Sequence, residues 1–242
     1  ENNITGDGKI LLGMSGRKEI AASASGAEIF EALLRLTNPE ERAVYFLVGH
    51  GERDSLEYNQ ETGSMTRARE ILESKNYTVS TLNLPAENKI PEDADLIIIA
   101  GPVQPITENE QKLLRAYLAG GGSLLVMEDP LIATDFGDQA DPLAELLLED
   151  WGISINNDIV IDLDSPDPTI GTAADYPGPH AITRKMNNII TYFPLTRSLT
   201  IASAPENVQA SLLVQTTAKS WGETNTAEPN VAFDETADIP GP

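Results

Sequence analysis

The sequence has no cysteine. That absence excludes disulfides, thiolate nucleophiles and cysteine-ligated zinc together. No apolar run approaches the roughly 20 residues that cross a bilayer as a helix, and no leader-like pattern opens the chain. Basic residues are scarce: 16 Lys and Arg face 38 Asp and Glu, for a formal charge of -22. Such a surface repels phosphate backbones and anionic headgroups, so nucleic acid is not expected as a partner. Acidic solvated loops are the plain reading of that charge. What remains is ordinary for a folded chain, with 40% hydrophobic and 22% charged residues among 242, enough for a core without staples. An opening Glu1-Asn2-Asn3 without Met and an end at Gly241-Pro242 lead us to expect a piece of a longer protein.

Hydrophobic patterning divides the chain into alternating elements. Lys9 to Met14 and Arg17 to Ile20 read as a small N-terminal strand pair or linker over residues 1–25. Ile29, Leu33, Leu34 and Leu36 recur at helical spacing until Asn38-Pro39. Ala43 to Val48 is a continuous apolar run, as is Asp95 to Ala100, and Ser123 to Met127 is a third. Strands buried on both faces look like this, and such strands are usually parallel. Helices are expected between them, one near 64–74 and one opened by Thr107 with Glu110 three residues on, a capping box. Gly120-Gly121-Gly122 ends that second helix, so it is a cap and not a phosphate cradle, which would follow a strand and open a helix.

A helix from about Asp141 to Glu149 and a strand at Ile159 to Ile161 continue the alternation. Residues 163–180, rich in Pro, Gly and Asp, read as a long loop without regular structure. A short helix near 181–186 and strands at 199–202 and 210–214 follow. This pattern predicts an α/β fold: a doubly wound, flavodoxin-like, mostly parallel sheet over residues 26–222, with residues 223–242 as an extended tail.

Several blocks carry a resemblance. Val44 to Glu52, Ala94 to Pro102, Thr107 to Glu110, Gly121 to Leu125 with Asp129-Pro130, then His180 to Thr183, Phe193-Pro194 and Ser220 to Glu223 occur in order. Jointly they resemble the auxiliary components of uncharacterised ABC transport systems related to gliding motility, over roughly residues 20–242. The resemblance implies a domain similar to class I glutamine-amidotransferase-like folds. It also implies an extracytoplasmic place, periplasmic or at the cell surface, with membrane anchors that this sequence does not contain. The implied partners are ABC permease and ATPase subunits or another envelope protein, and a small envelope ligand.

In an open α/β sheet, ligands bind beyond the carboxyl ends of the strands. The loops after the three apolar strands would bring His50, Glu52, Arg53, Gln104, Glu128 and Asp129 to that edge, and His180 is the other histidine. His50 and Glu52 read either as a ligand or acid/base pair or as side chains that hydrogen-bond loop amides. A metal site joining His50 and His180 is sterically conceivable, but no metal or other cofactor is expected. Asp162, Asp164 and Asp167 alternate like an incomplete calcium loop without its glycine or closing glutamate, and read as a surface acidic loop. No Gly-x-Ser-x-Gly elbow follows a strand, and amidotransferase chemistry lacks its cysteine. Trp151 and Trp221 are candidate interface anchors or core-edge residues. The leading expectation is a non-catalytic binding or assembly module. The alternatives are a hydrolase or metal-dependent enzyme using His50 and Glu52, with Asp129, and a structural spacer.

Overall fold

The computed structural model describes residues 8–37, 42–58, 63–173, 175–186, 188–226 and 232–242. Asn38-Pro39, read above as a helix stop, lie outside them. The chain divides into two compact units, residues 1–100 with 116–126, and residues 101–115 with 127–242.

The first unit opens with strands β1 (Ile10–Met14) and β2 (Arg17–Ala21), an antiparallel hairpin in register Met14↔Arg17. Its two turn residues, Ser15 and Gly16, both have positive φ, the geometry whose twist matches that of the flanking strands. Helix α1 (Gly26–Thr37) follows and buries Ala32 and Leu36. Arg35 ties three elements together, donating to Glu19 Oε2 at 3.0 Å and to the carbonyls of Ile20 and Ser74 at 3.2 Å each. Then come β3 (Arg42–Leu47), α2 (Thr66–Ser74), β4 (Tyr77–Leu82), the short α3 (Leu84–Glu87) and β5 (Ala94–Ala100).

Helix α4 (Glu108–Ala119) and strand β6 (Ser123–Met127) continue the alternation. The four strands form one parallel sheet in the order β4-β3-β5-β6. Val44, Phe46, Leu47 and Ile97 to Ala100 are buried, which is why those runs carry no polar alternation. α4 has the capping box: Thr107 Oγ1 accepts from the Glu110 amide at 3.3 Å, and Glu110 Oε2 accepts from the Thr107 amide at 2.9 Å. At its other end Gly121 takes positive φ and the Gly122 amide bonds back to Tyr117 O, so the glycine run is a helix stop.

Beyond β6 the parallel sheet does not continue. After α5 (Pro142–Trp151), the second unit is built from β7 (Ile153–Ile155), β8 (Ile159–Asp162), β9 (Ile170–Ala173), β10 (Thr191–Pro194), β11 (Leu199–Ile201), β12 (Ser220–Glu223) and β13 (Ile239–Pro240). They make three small antiparallel sheets, β7 with β11, β9 with β10, and β8-β12-β13.

Four sequence expectations are corrected here. The 163–180 segment is not wholly irregular, because Ile170 to Ala173 pairs with Thr191 to Pro194. Gly171 admits that strand, since a Cβ there would lie 3.3 Å from both Val160 Cγ1 and Thr216 Cγ2. Residues 181–186 are turns rather than a helix, and 210–214 form no strand; only Gln215 bridges, to Asp175. Asp162 is not a surface residue: it ends β8 fully buried, accepting from the Thr172 amide at 2.9 Å and Thr217 Oγ1 at 2.5 Å. Of the two readings kept open for Trp221, the structure favours the core: it packs with Ile159 and Ile161, donates to Glu223 Oε2 at 3.2 Å and stacks edge-on with Phe233.

Candidate functional site

The loop after β3 is shaped by two glycines. Gly49 and Gly51 have φ of 127° and 81°, values that side chains rarely adopt. A Cβ on Gly49 would also lie 3.1 Å from Pro85 Cγ, so the loop passes close over the start of α3. Between the glycines His50 is turned inward and buried, and the Glu52 side chain is buried with it.

Glu52 Oε2 accepts from the His50 amide at 2.8 Å, and Oε1 lies 3.2 Å from His50 Nδ1. Burial pushes the Glu52 carboxyl up. The bond to the His50 ring, bonds from its own and the His50 amides, and the imidazole's charge outweigh that and hold it below the usual carboxylate range. The Arg53 amide then donates to Ala100 O at 2.9 Å, joining this loop to the end of β5. The half-buried Arg53 side chain runs beside Gly63, whose Cβ would lie 3.6 Å from its Nε.

Glu128 follows β6 in the second unit, and its side chain is almost fully buried. Its Oε2 accepts from Arg197 Nη1 at 3.2 Å, a contact in which both side chains are buried. Arg197 is itself held by the carbonyls of Asn156 at 2.6 Å and Ile155 at 3.3 Å. Glu128 Oε1 has no donor among the described residues. Burial, with the charge of Asp141, pushes the Glu128 carboxyl up to about 8 against the pull of Arg197; a hydrogen bond to Asp141 and the charge of Asp129 add to the rise. A proton on this carboxyl supplies what the orphaned oxygen lacks, because it can then donate to Asp141. Asp141 meanwhile caps α5, accepting from the Ala144 amide at 3.1 Å.

The structure thus brings together His50 with Glu52 in one unit, and Glu128 with Arg197 and Asp141 in the other. Gln104 is exposed in the connection from β5 to α4, and Asp129 is half-buried. His180 is half-buried and its Nδ1 accepts from the Ile182 amide at 3.3 Å, a local loop bond. Among the described residues no three His, Asp or Glu side chains converge to hold a metal ion. Sequence reasoning missed Asp141 and Arg197 as partners of Glu128. The Asp141-Pro142 pair signalled a helix start and could have flagged the first; Arg197 carries no local signal. It also missed Ser55, buried beside the His50 loop with no hydrogen-bond partner for its Oγ among the described residues.

Comparison with known proteins places these features in a context. The family described as ABC-type uncharacterized transport system matches residues 41–240. No curated protein matches the chain. Among solved structures, one titled "mmIFT52 N-terminal domain" is similar at 23% identity and a TM-score of 0.55, covering 73% of this chain and 74% of that one. That likeness is one of fold. No helix of the described residues is long and apolar enough to cross a membrane.

Proposed function

The chain belongs to the ABC-type uncharacterized transport system family, and from that premise we propose that it is a non-catalytic binding and assembly module. Membership makes it an auxiliary component of such a system. In our reading it engages permease or ATPase subunits, or another envelope protein, and offers the loops at its strand ends to a small envelope ligand. The domain then stands outside the cytoplasm, tethered by anchors belonging to a longer protein, in systems of the gliding-motility type. The sheet order β4-β3-β5-β6 supports a doubly wound, flavodoxin-like and amidotransferase-like reading. It begins as that fold does, with the strand order reversing between β3 and β5 where ligands bind.

One observation carries the non-catalytic part. Both Glu52 oxygens are engaged within their own loop, one by the His50 amide and one by its ring. A carboxylate that braces its neighbour's backbone is poorly placed to take a substrate proton. The test is association of the purified chain with the detergent-solubilised cognate permease–ATPase complex by biolayer interferometry, beside turnover assays on ester, amide and glycoside panels. Saturable binding without turnover supports the proposal. Turnover that disappears in His50→Ala, with no binding to the complex, overturns it.

A further inference from the structure

No Asp or Glu stands between Asp175 and Glu206, although 38 are spread over the other parts of the chain. The next longest acid-free run, Gln111 to Met127, is little more than half that length and lies in α4 and β6. Within the longer run the β9–β10 hairpin carries a long connecting loop. Its base is closed by the pairing of Ala173 with Thr191 and by a 2.8 Å hydrogen bond between Tyr176 Oη and Thr191 Oγ1. Thr183 is buried and anchors the loop's middle, and the Ile182 amide is held by His180 Nδ1. The described residues of the loop are therefore held by contacts of their own.

Its surface is apolar and basic. Ile182 is 67% exposed, Ile190 58% and Tyr192 58%, with Ile189, Phe193 and Leu195 also open. Arg184 and Lys185 are exposed among them with no ion pair among the described residues. Two uncompensated cations beside open isoleucines and an aromatic pair are the composition that seats a surface in the headgroup layer of an anionic bilayer. A lipid surface takes up exposed aliphatic side chains without a matching pocket, and the absence of acidic residues over this run favours an anionic one. The chain as a whole carries -22 with every acid outside this run, so the run is where approach to such a membrane is electrostatically least opposed.

We propose that the β9–β10 loop, through Ile182, Arg184, Lys185, Ile189 and Ile190, docks the protein onto an anionic lipid surface. The contact concerns lipid, not the transporter partner above, and is tested without that partner. The probe is co-sedimentation of the chain with vesicles of equal phosphatidylglycerol and phosphatidylcholine, against vesicles of phosphatidylcholine alone, over a salt series. Each cation near an anionic surface contributes about fivefold in partition, so Arg184→Gln with Lys185→Gln is expected to weaken binding about 25-fold. Ile189→Ser with Ile190→Ser is expected to abolish it. Because all four side chains are exposed, an unchanged thermal melt shows that the variants fold. Binding that requires phosphatidylglycerol, falls with salt and is lost in both variants supports the docking surface. It is overturned by no pelleting with either vesicle, by equal pelleting with both, or by self-association of the wild type that the isoleucine variant dissolves.

Discussion

Glu52 and Glu128 are both buried carboxyl groups, and their surroundings push them in opposite directions. Glu52 is held below its ordinary value, so the fold favours the ionised form. The stability it contributes is present above that ordinary value and is lost as pH falls through the folded one. Glu52→Gln is predicted to cost about 1–3 kcal/mol at neutral pH and to flatten the acid-side decline in a series of urea melts. Glu128 is raised from 4.5 to about 8, so the folded protein keeps a proton that the unfolded chain releases. Its contribution is full below about pH 4.5 and is lost as pH rises through about 8. Glu128→Gln keeps a neutral side chain of the same shape beside Asp141 and Arg197. Above pH 8 it is predicted to exceed the wild type in stability by on the order of a few kcal/mol. An alkaline decline like the wild type's in that variant would remove the shared-proton account.

At the scale of elements, α4 rests on its capping box. Thr107→Ala removes the hydroxyl that accepts from the Glu110 amide and is predicted to cost about 1 kcal/mol, a fall in Tm of about 2–4 °C for a chain of this size. β12 is the middle strand of its sheet, and Gly222 stands where a Cβ would fall on the buried Asp158 carboxylate, whose oxygens bond Ser198. Gly222→Ala is accordingly predicted to lower the denaturant midpoint more than Thr107→Ala does. These two elements also mark what sequence can reveal. β3, β5 and the α4 box were legible because a strand buried on both faces must be continuously apolar and a cap needs fixed residue types at fixed spacing; β6 was found from the same kind of apolar run, yet it is not buried on both faces, with Leu125 exposed. The strands of the second unit were harder to read, because they are short, interrupted by Pro, Gly and Asp, and paired across long sequence separations, as Gly222 with Val160. The same limit hid the partners of Glu128: Arg197 reaches it from a distant segment, whereas His50 and Glu52 lie two residues apart and could be paired by eye.

For the whole molecule, the charge of -22 makes a surface that repels anionic partners. Each strand-end loop is tested on its own as a contact with the partner as well as with a small ligand, the one after β3 at half-buried Arg53 and the one after β5 at exposed Gln104. A photo-activatable side chain placed at Gln104, and separately at Arg53, in the native full-length protein in its own cells tests that contact most directly. The account predicts covalent adducts with an ABC permease or ATPase subunit from at least one of the two positions. Normal accumulation of both variants without any such adduct, while they label unrelated envelope material at random, would contradict it.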